Sequence, residues 1–228
     1  MTVTTIFKKS NDELSKAAVN ILVEVVNKLL QRQKQVVLAI PGGRSVAAIW
    51  KLLASDHRIP WRKIQVLMAD ERVVPITSGQ SNYRLAYDTF LKKLIEAGEL
   101  PEENLHPFIA DKGSSNYNKK LKKYGGKPDI IILSIGEDGH VGALYPNHHS
   151  VKDSSEGYIA VDDSPKPPLE RITMSRKTML KAKTALLLFI GEAKREAYEK
   201  FKAGDDIIEC PARLAKQIKD SYVLTDLK

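Results

Sequence analysis

Residues 129–140 read DIIILSIGEDGH, an apolar run that ends in a glycine-flanked acidic turn and a histidine. Near-continuous hydrophobicity over 129–135 suits a strand covered on both faces, as in a parallel sheet, better than a strand with one wet face. The same pattern recurs elsewhere. QVVLAI at 35–40 runs into PGGRS, IQVLMA at 64–69 into Asp70, Glu71 and Arg72, and TALLLFIG at 184–191 into Glu192 and Lys194.

Helical signals separate these runs. Ser10 stands three residues before Glu13, a capping-box pattern, and Leu14, Ala18, Ile21, Leu22, Val25, Leu29 and Leu30 recur at helical spacing, which predicts a helix over 12–31. Val46, Ile49, Trp50 and Leu53 mark the inner face of a second helix, and Ser81 caps a third with Tyr83, Tyr87, Phe90 and Leu94 inward. EAKREAYEKF after residue 191 reads as a helix and PARLAKQ at 211–217 as a short one. Short strands are expected at 158–161, at RITMS and at SYVLTD. The expected fold is α/β: a modified doubly wound, Rossmann-like, mainly parallel sheet with helices on both faces and small antiparallel additions, in one domain over 1–228.

Composition narrows the function classes. A chain of 228 residues buries enough surface to need no staple, and a single cysteine, Cys210, excludes an internal disulfide. No run of 18 apolar residues and no leader-like N-terminus is seen, so a cytoplasmic protein without a membrane partner is expected. The net charge of +8 favours anionic ligands of any size. Lys119, Lys120, Lys122, Lys123 and Lys127 lack interleaved aromatic residues, which reads as a solvated helix face rather than a nucleic-acid surface.

In an open parallel sheet, ligands bind beyond the carboxyl ends of the strands, so chemistry is sought there. Gly42 and Gly43 let backbone N–H groups approach an anion, although PGGRS is neither GxGxxG nor a Walker loop; a plain turn is the alternative. Arg44 and Arg72 can bind a monophosphate or serve as surface ion pairs. His140 can move protons near neutral pH, with Asp138 two residues earlier orienting the ring or binding a hydroxyl; a polar turn histidine is the alternative. His148 and His149 lie in a polar loop, where neighbouring side chains diverge and no third ligand has a recognisable spacing, so no metal site is expected. Cys210 before Pro211 reads as a packing residue.

Taken in order, VLAIPGGRSVAAIW, VLMADERVVPITSGQSNYRL, IILSIGEDGHVGALYP, PKPPLERITMS and LLLFIGEAKREA resemble the motifs of the 6-phosphogluconolactonase family, over about residues 10–220. This family shares a superfamily with the glucosamine-6-phosphate deaminases. The resemblance implies hydrolysis of 6-phospho-D-glucono-1,5-lactone to 6-phospho-D-gluconate in the pentose phosphate pathway, with a small sugar-phosphate lactone as the partner and no cofactor. It sets no oligomeric state. By the same resemblance His140 is the general base on water, and the phosphate falls to Gly42, Gly43, Arg44, Arg72, Arg171 and Lys194. Asp70, Asn82 and Asp138 occur in matching motifs as site-shaping or hydroxyl-binding residues.

Deaminases carry a glutamate five residues beyond the histidine of their DGH motif, where this chain has Tyr145. That argues against the deaminase alternative; a non-catalytic sugar-phosphate binder is the other alternative. Two departures from the lactonase pattern stand out: Pro41 before the glycine pair and Val141 in place of threonine after His140.

Overall fold

The computed structural model describes the backbone of residues 1–228 and all side chains but that of Arg44. The strands are β1 (Thr2–Phe7), β2 (Val36–Ile40), β3 (Ile64–Met68), β4 (Asp70–Arg72), β5 (Leu105–His106), β6 (Ile130–Ser134), β7 (Tyr158–Val161), β8 (Arg171–Met174), β9 (Thr184–Phe189) and β10 (Asp220–Thr225). The α-helices are α1 (Asn11–Leu30), α2 (Ala47–Leu53), α3 (Asn82–Ala86), α4 (Lys92–Glu96), α5 (Gly113–Lys123), α6 (His149–Lys152), α7 (Arg176–Met179) and α8 (Arg195–Ala203). A π-helical stretch, Tyr87–Leu91, runs between α3 and α4.

Seven strands make one parallel sheet in the order β1-β10-β9-β6-β2-β3-β5. The chain winds outward in one direction from β2 and in the other from β6, so the order reverses between these neighbours. Binding sites in open α/β sheets form at this point.

Alternate residues of each central strand feed two cores. Val36, Leu38 and Ile40 pack with Trp50 of α2 and with Phe90 and Leu94, whereas Val37 and Ala39 pack with Tyr117 of α5 and Phe201 of α8. The sheet is covered on both faces, which is why its strands are apolar throughout. Ser10 caps α1, its hydroxyl accepting from Glu13 N at 3.2 Å, and Ser81 caps α3 in the same way from Arg84 N at 3.1 Å. Lys119, Lys120, Lys122 and Lys123 lie on α5, whose buried residues are Tyr117 and Leu121. Among the described residues, no helix is long and apolar enough to cross a membrane.

A second, antiparallel sheet has the order β4-β8-β7. It revises the expectation that Asp70, Glu71 and Arg72 merely follow a strand: after Ala69 the chain changes sheets. Ala69 donates its N–H to Ile40 O at 2.7 Å on one side and accepts from Met174 N at 2.9 Å on the other. Two tyrosines satisfy Met68 at the crossing. Its N–H donates to Tyr117 Oη at 2.8 Å, and its carbonyl accepts from Tyr158 Oη at 2.6 Å. Strands β1 and β5 were not anticipated, and PARLAKQ is a 3₁₀ helix.

Candidate active site

A cavity of about 610 Å³ opens where β2 and β6 end, roofed by residues of the second sheet and its loops. From β6 the chain enters the turn at 136–140, in which Gly136 N donates to His140 O at 2.9 Å and Gly139 N to Gly136 O at 3.1 Å. The turn folds Asp138 back on His140: His140 Nδ1 lies 2.5 Å from Asp138 Oδ1, and His140 N donates to the same oxygen at 3.2 Å. Burial pushes the Asp138 carboxyl up, but the hydrogen bond and charge of His140, the backbone bond and Lys166 outweigh it and hold the group well below the usual carboxylate range. An ionised carboxylate only accepts, so Nδ1 donates to it, and in the neutral form of the ring the lone pair stands on Nε2.

Opposite lie cations supplied by the second sheet. Arg72 on β4 and Arg171 on β8 are directly paired in the antiparallel register, and both line the cavity. Like charges facing each other across a ladder are destabilising, and an anion between them would offset that cost. Burial and the charge of Arg72 both lower the pKa of Arg171. Arg72 Nη1 donates to Gln80 O at 2.6 Å, while its buried Nε has no partner. Arg171 spends Nε on Pro168 O at 2.8 Å and Nη2 on Lys166 O at 3.2 Å and Pro167 O at 3.1 Å, tying the loop at 162–168 to β8.

Glu71 and Asn82 hold these pieces in register. The buried Glu71 carboxylate accepts from Arg72 N, Asn82 N and Tyr83 N, each at 2.7 Å, and from Ser81 Oγ at 3.0 Å. Asn82 donates through Nδ2 to Asp70 O at 3.0 Å and Asp70 Oδ2 at 3.2 Å. Burial raises the Asp70 pKa against the opposing charges of Arg72, Arg171 and His140. Gly42 is required here, because a Cβ at this position would stand 1.9 Å from Asn82 Oδ1.

Of the residues singled out in the sequence, Gly42, Gly43, Asp70, Arg72, Asn82, His140, Arg171 and Lys194 line this one cavity, and Asp138 stands behind His140. Arg44 lies outside the described side chains. Sequence reasoning missed Ser134, Glu137, Tyr145 and Lys166, which also line it. Tyr145 packs its ring 4.9 Å from His140 and shares a 2.7 Å hydrogen bond with Ser164 Oγ. Nothing local in the sequence ties Lys166 to a histidine 26 positions earlier, although its setting between Pro165 and Pro167 signals a constrained loop. Val141 is fully buried in the core, where its apolar side chain suits its surroundings. Cys210 is buried, and its burial pushes the thiol pKa up, as befits packing.

The reading of His148 and His149 needs correction. Their side chains converge, with ring centroids 4.1 Å apart, because His148 turns in to cap α6 by accepting from Ser150 N at 3.2 Å.

Residues 9–224 match the family described as glucosamine-6-phosphate isomerases/6-phosphogluconolactonase. A 6-phosphogluconolactonase of Borreliella burgdorferi is 32% identical over 208 residues, covering 89% of this chain and 88% of that protein. The crystal structure of a 6-phosphogluconolactonase from Thermotoga maritima covers 100% of both chains with a TM-score of 0.86 at 21% identity. A monomeric glucosamine-6-phosphate deaminase is similar in fold as well, with a TM-score of 0.80 at 21% identity over 99% of this chain and 97% of that one.

Proposed function

We infer from one premise, that the chain belongs to the glucosamine-6-phosphate isomerase/6-phosphogluconolactonase family, that it hydrolyses 6-phospho-D-glucono-1,5-lactone to 6-phospho-D-gluconate. Family membership makes it an enzyme; substrate, reaction and residue roles are our reading. The observation that carries this reading is the sharing of one cavity by the Asp138–His140 pair and the facing Arg72 and Arg171.

A δ-lactone is an activated ester, so catalysis needs a held phosphate, an oriented water and a sink for the charge on the carbonyl oxygen. Arg72, Arg171, Lys194 and the turn at Gly42 and Gly43 grip the phosphate. His140 Nε2 takes a proton from water as the oxygen bonds to C1. The tetrahedral intermediate then collapses, the bond from C1 to the ring oxygen breaks, and that oxygen accepts the proton from Nε2. Asp138 fixes the ring and offsets the transient imidazolium charge. The product acid loses its own proton to solvent, and that release is the readout.

The deaminase has no support from this site beyond shared fold. At the position of the deaminase glutamate stands Tyr145, whose hydroxyl is engaged with Ser164. The test is proton release from freshly made lactone with the spontaneous rate subtracted, alongside ammonia release from glucosamine 6-phosphate. Acceleration of the first and none of the second is expected; the reverse result would move the chain to the sister reaction. A cytoplasmic setting is part of the proposal, in keeping with a lone cysteine that is buried and unpaired.

A further inference from the structure

Outside the cavity, Asp163 Oδ1 lies 2.8 Å from His149 Nε2 and 3.3 Å from His148 Nε2. One ligand atom from each of the three residues falls within 4.8 Å of the others. We propose that His148, His149 and Asp163 bind one divalent transition-metal ion of the zinc class, which pins the loop at 162–168 to α6.

The geometry is close to what such an ion needs. Tetrahedral zinc with ligand bonds of about 2.0–2.1 Å places its ligand atoms about 3.3–3.4 Å apart. The 3.3 Å separation to His148 matches that spacing, the 2.8 Å one to His149 is about 0.5 Å short of it, and the exposed ring of His149 can turn to adjust both its distances. Two imidazoles and a carboxylate suit zinc, copper or nickel, whereas magnesium and calcium prefer all-oxygen sets. Water fills the fourth position on the exposed side.

The frame behind the ligands is buried and hydrogen-bonded. Ser150 and Ser164, the immediate neighbours in sequence of His149 and Asp163, are almost wholly buried, and both engage Tyr145: its N–H donates to Ser150 Oγ at 3.1 Å, and its hydroxyl shares a hydrogen bond with Ser164 Oγ. His148 Nδ1 lies 3.0 Å from Ser150 Oγ. When Nε2 binds metal, Nδ1 becomes the protonated nitrogen and donates to that hydroxyl, the outer partner that ligating histidines commonly have. The switch gives up the cap to Ser150 N, a cost that the metal bond must exceed.

The pinned loop also delivers Lys166 and Pro167 to the cavity. The inference does not depend on the proposed reaction, because its readout is metal binding and stability. Tag-free, chelator-stripped full-length protein is titrated with zinc against a chromophoric competitor, and thermal unfolding is followed with zinc or magnesium. One zinc per chain is expected, with a rise in Tm that magnesium does not produce. Removing an outer partner of a metal-bound histidine already weakens metal binding about tenfold or more, so His149→Ala or Asp163→Asn should weaken it at least about tenfold. Both positions are largely exposed and should fold, abolish the Tm rise and leave lactone hydrolysis unchanged. His140→Ala should bind zinc normally. Three results would overturn the site: no zinc-dependent Tm rise, binding that survives the His149→Ala/Asp163→Asn double variant, or binding lost with His140 alone, which would put the ion in the cavity.

Discussion

A single methyl group at position 136 would decide whether the imidazole of His140 can stay in place. A Cβ there would come within 2.0 Å of His140 Nδ1 and 2.6 Å of Asp138 Oδ1. Gly136→Ala therefore displaces the hydrogen-bonded pair, and since a misplacement of about 1 Å costs about 10²-fold, kcat should fall by that order in a steady-state assay. Under the proposed reaction His140→Ala should lower kcat by about 10²- to 10⁴-fold, the usual worth of a positioned base, while product binding measured by calorimetry changes little. Equal turnover by the variant would remove His140 from the chemistry. Asp138→Asn keeps the shape but replaces the charged acceptor with an amide whose NH2 can donate to Nδ1 and hold the other tautomer, and a loss of similar size is expected. GEDGH carried its chemistry openly in the sequence, because donor and acceptor sit two positions apart in one tight turn. The need for Gly136 was hidden, since it rests on where the ring folds back.

At the scale of the element, β4 and β8 explain why two arginines far apart in sequence face one cavity. Their roles separate by experiment. Arg72 is free at Nε, so Arg72→Ala should remove a charge-assisted bond worth about 1.5–3 kcal/mol, lowering kcat/KM for the phosphorylated lactone by about 10- to 100-fold and leaving the unphosphorylated lactone nearly unaffected. Arg171→Ala also releases the carbonyls of residues 166–168, so it should impair both substrates. A variant of Arg72 that keeps its preference for the phosphate would contradict the assignment. The central strands were legible because burial on both faces leaves an uninterrupted apolar signature. The short β4 was not, since three charged residues carry no periodicity and its partner lies a hundred positions on. Likewise β1 lies largely exposed at the sheet edge, without the alternation or apolar run that marks a strand. Arg171 entered through the family resemblance, and Lys166 came only with the fold.

For the molecule as a whole, acid is the expected weakness. His106, buried on β5, is held at a pKa of about 4 by burial and by the charges of Lys120 and Lys123, with Nε2 2.8 Å from Gln65 Oε1. Its folded value lies below its unfolded one, so the unfolded chain binds the extra proton. Stability is complete above about pH 6.5 and declines as pH falls toward 4. At about 1.4 kcal/mol for each pKa unit the loss reaches at most about 3 kcal/mol. Urea unfolding at pH 7 and pH 5 should show it, and His106→Gln should flatten the difference. The crossing at Ala69 has a wider consequence. One jaw, the imidazole, rides on the parallel layer; the other, the guanidinium pair, rides on the antiparallel layer; a single uninterrupted length of backbone, clipped by two tyrosine hydroxyls, joins them. Under the proposed reaction the protein behaves as a caliper, gauging a molecule by the span from its phosphate to its carbonyl carbon, and any slippage between the layers alters the gauge.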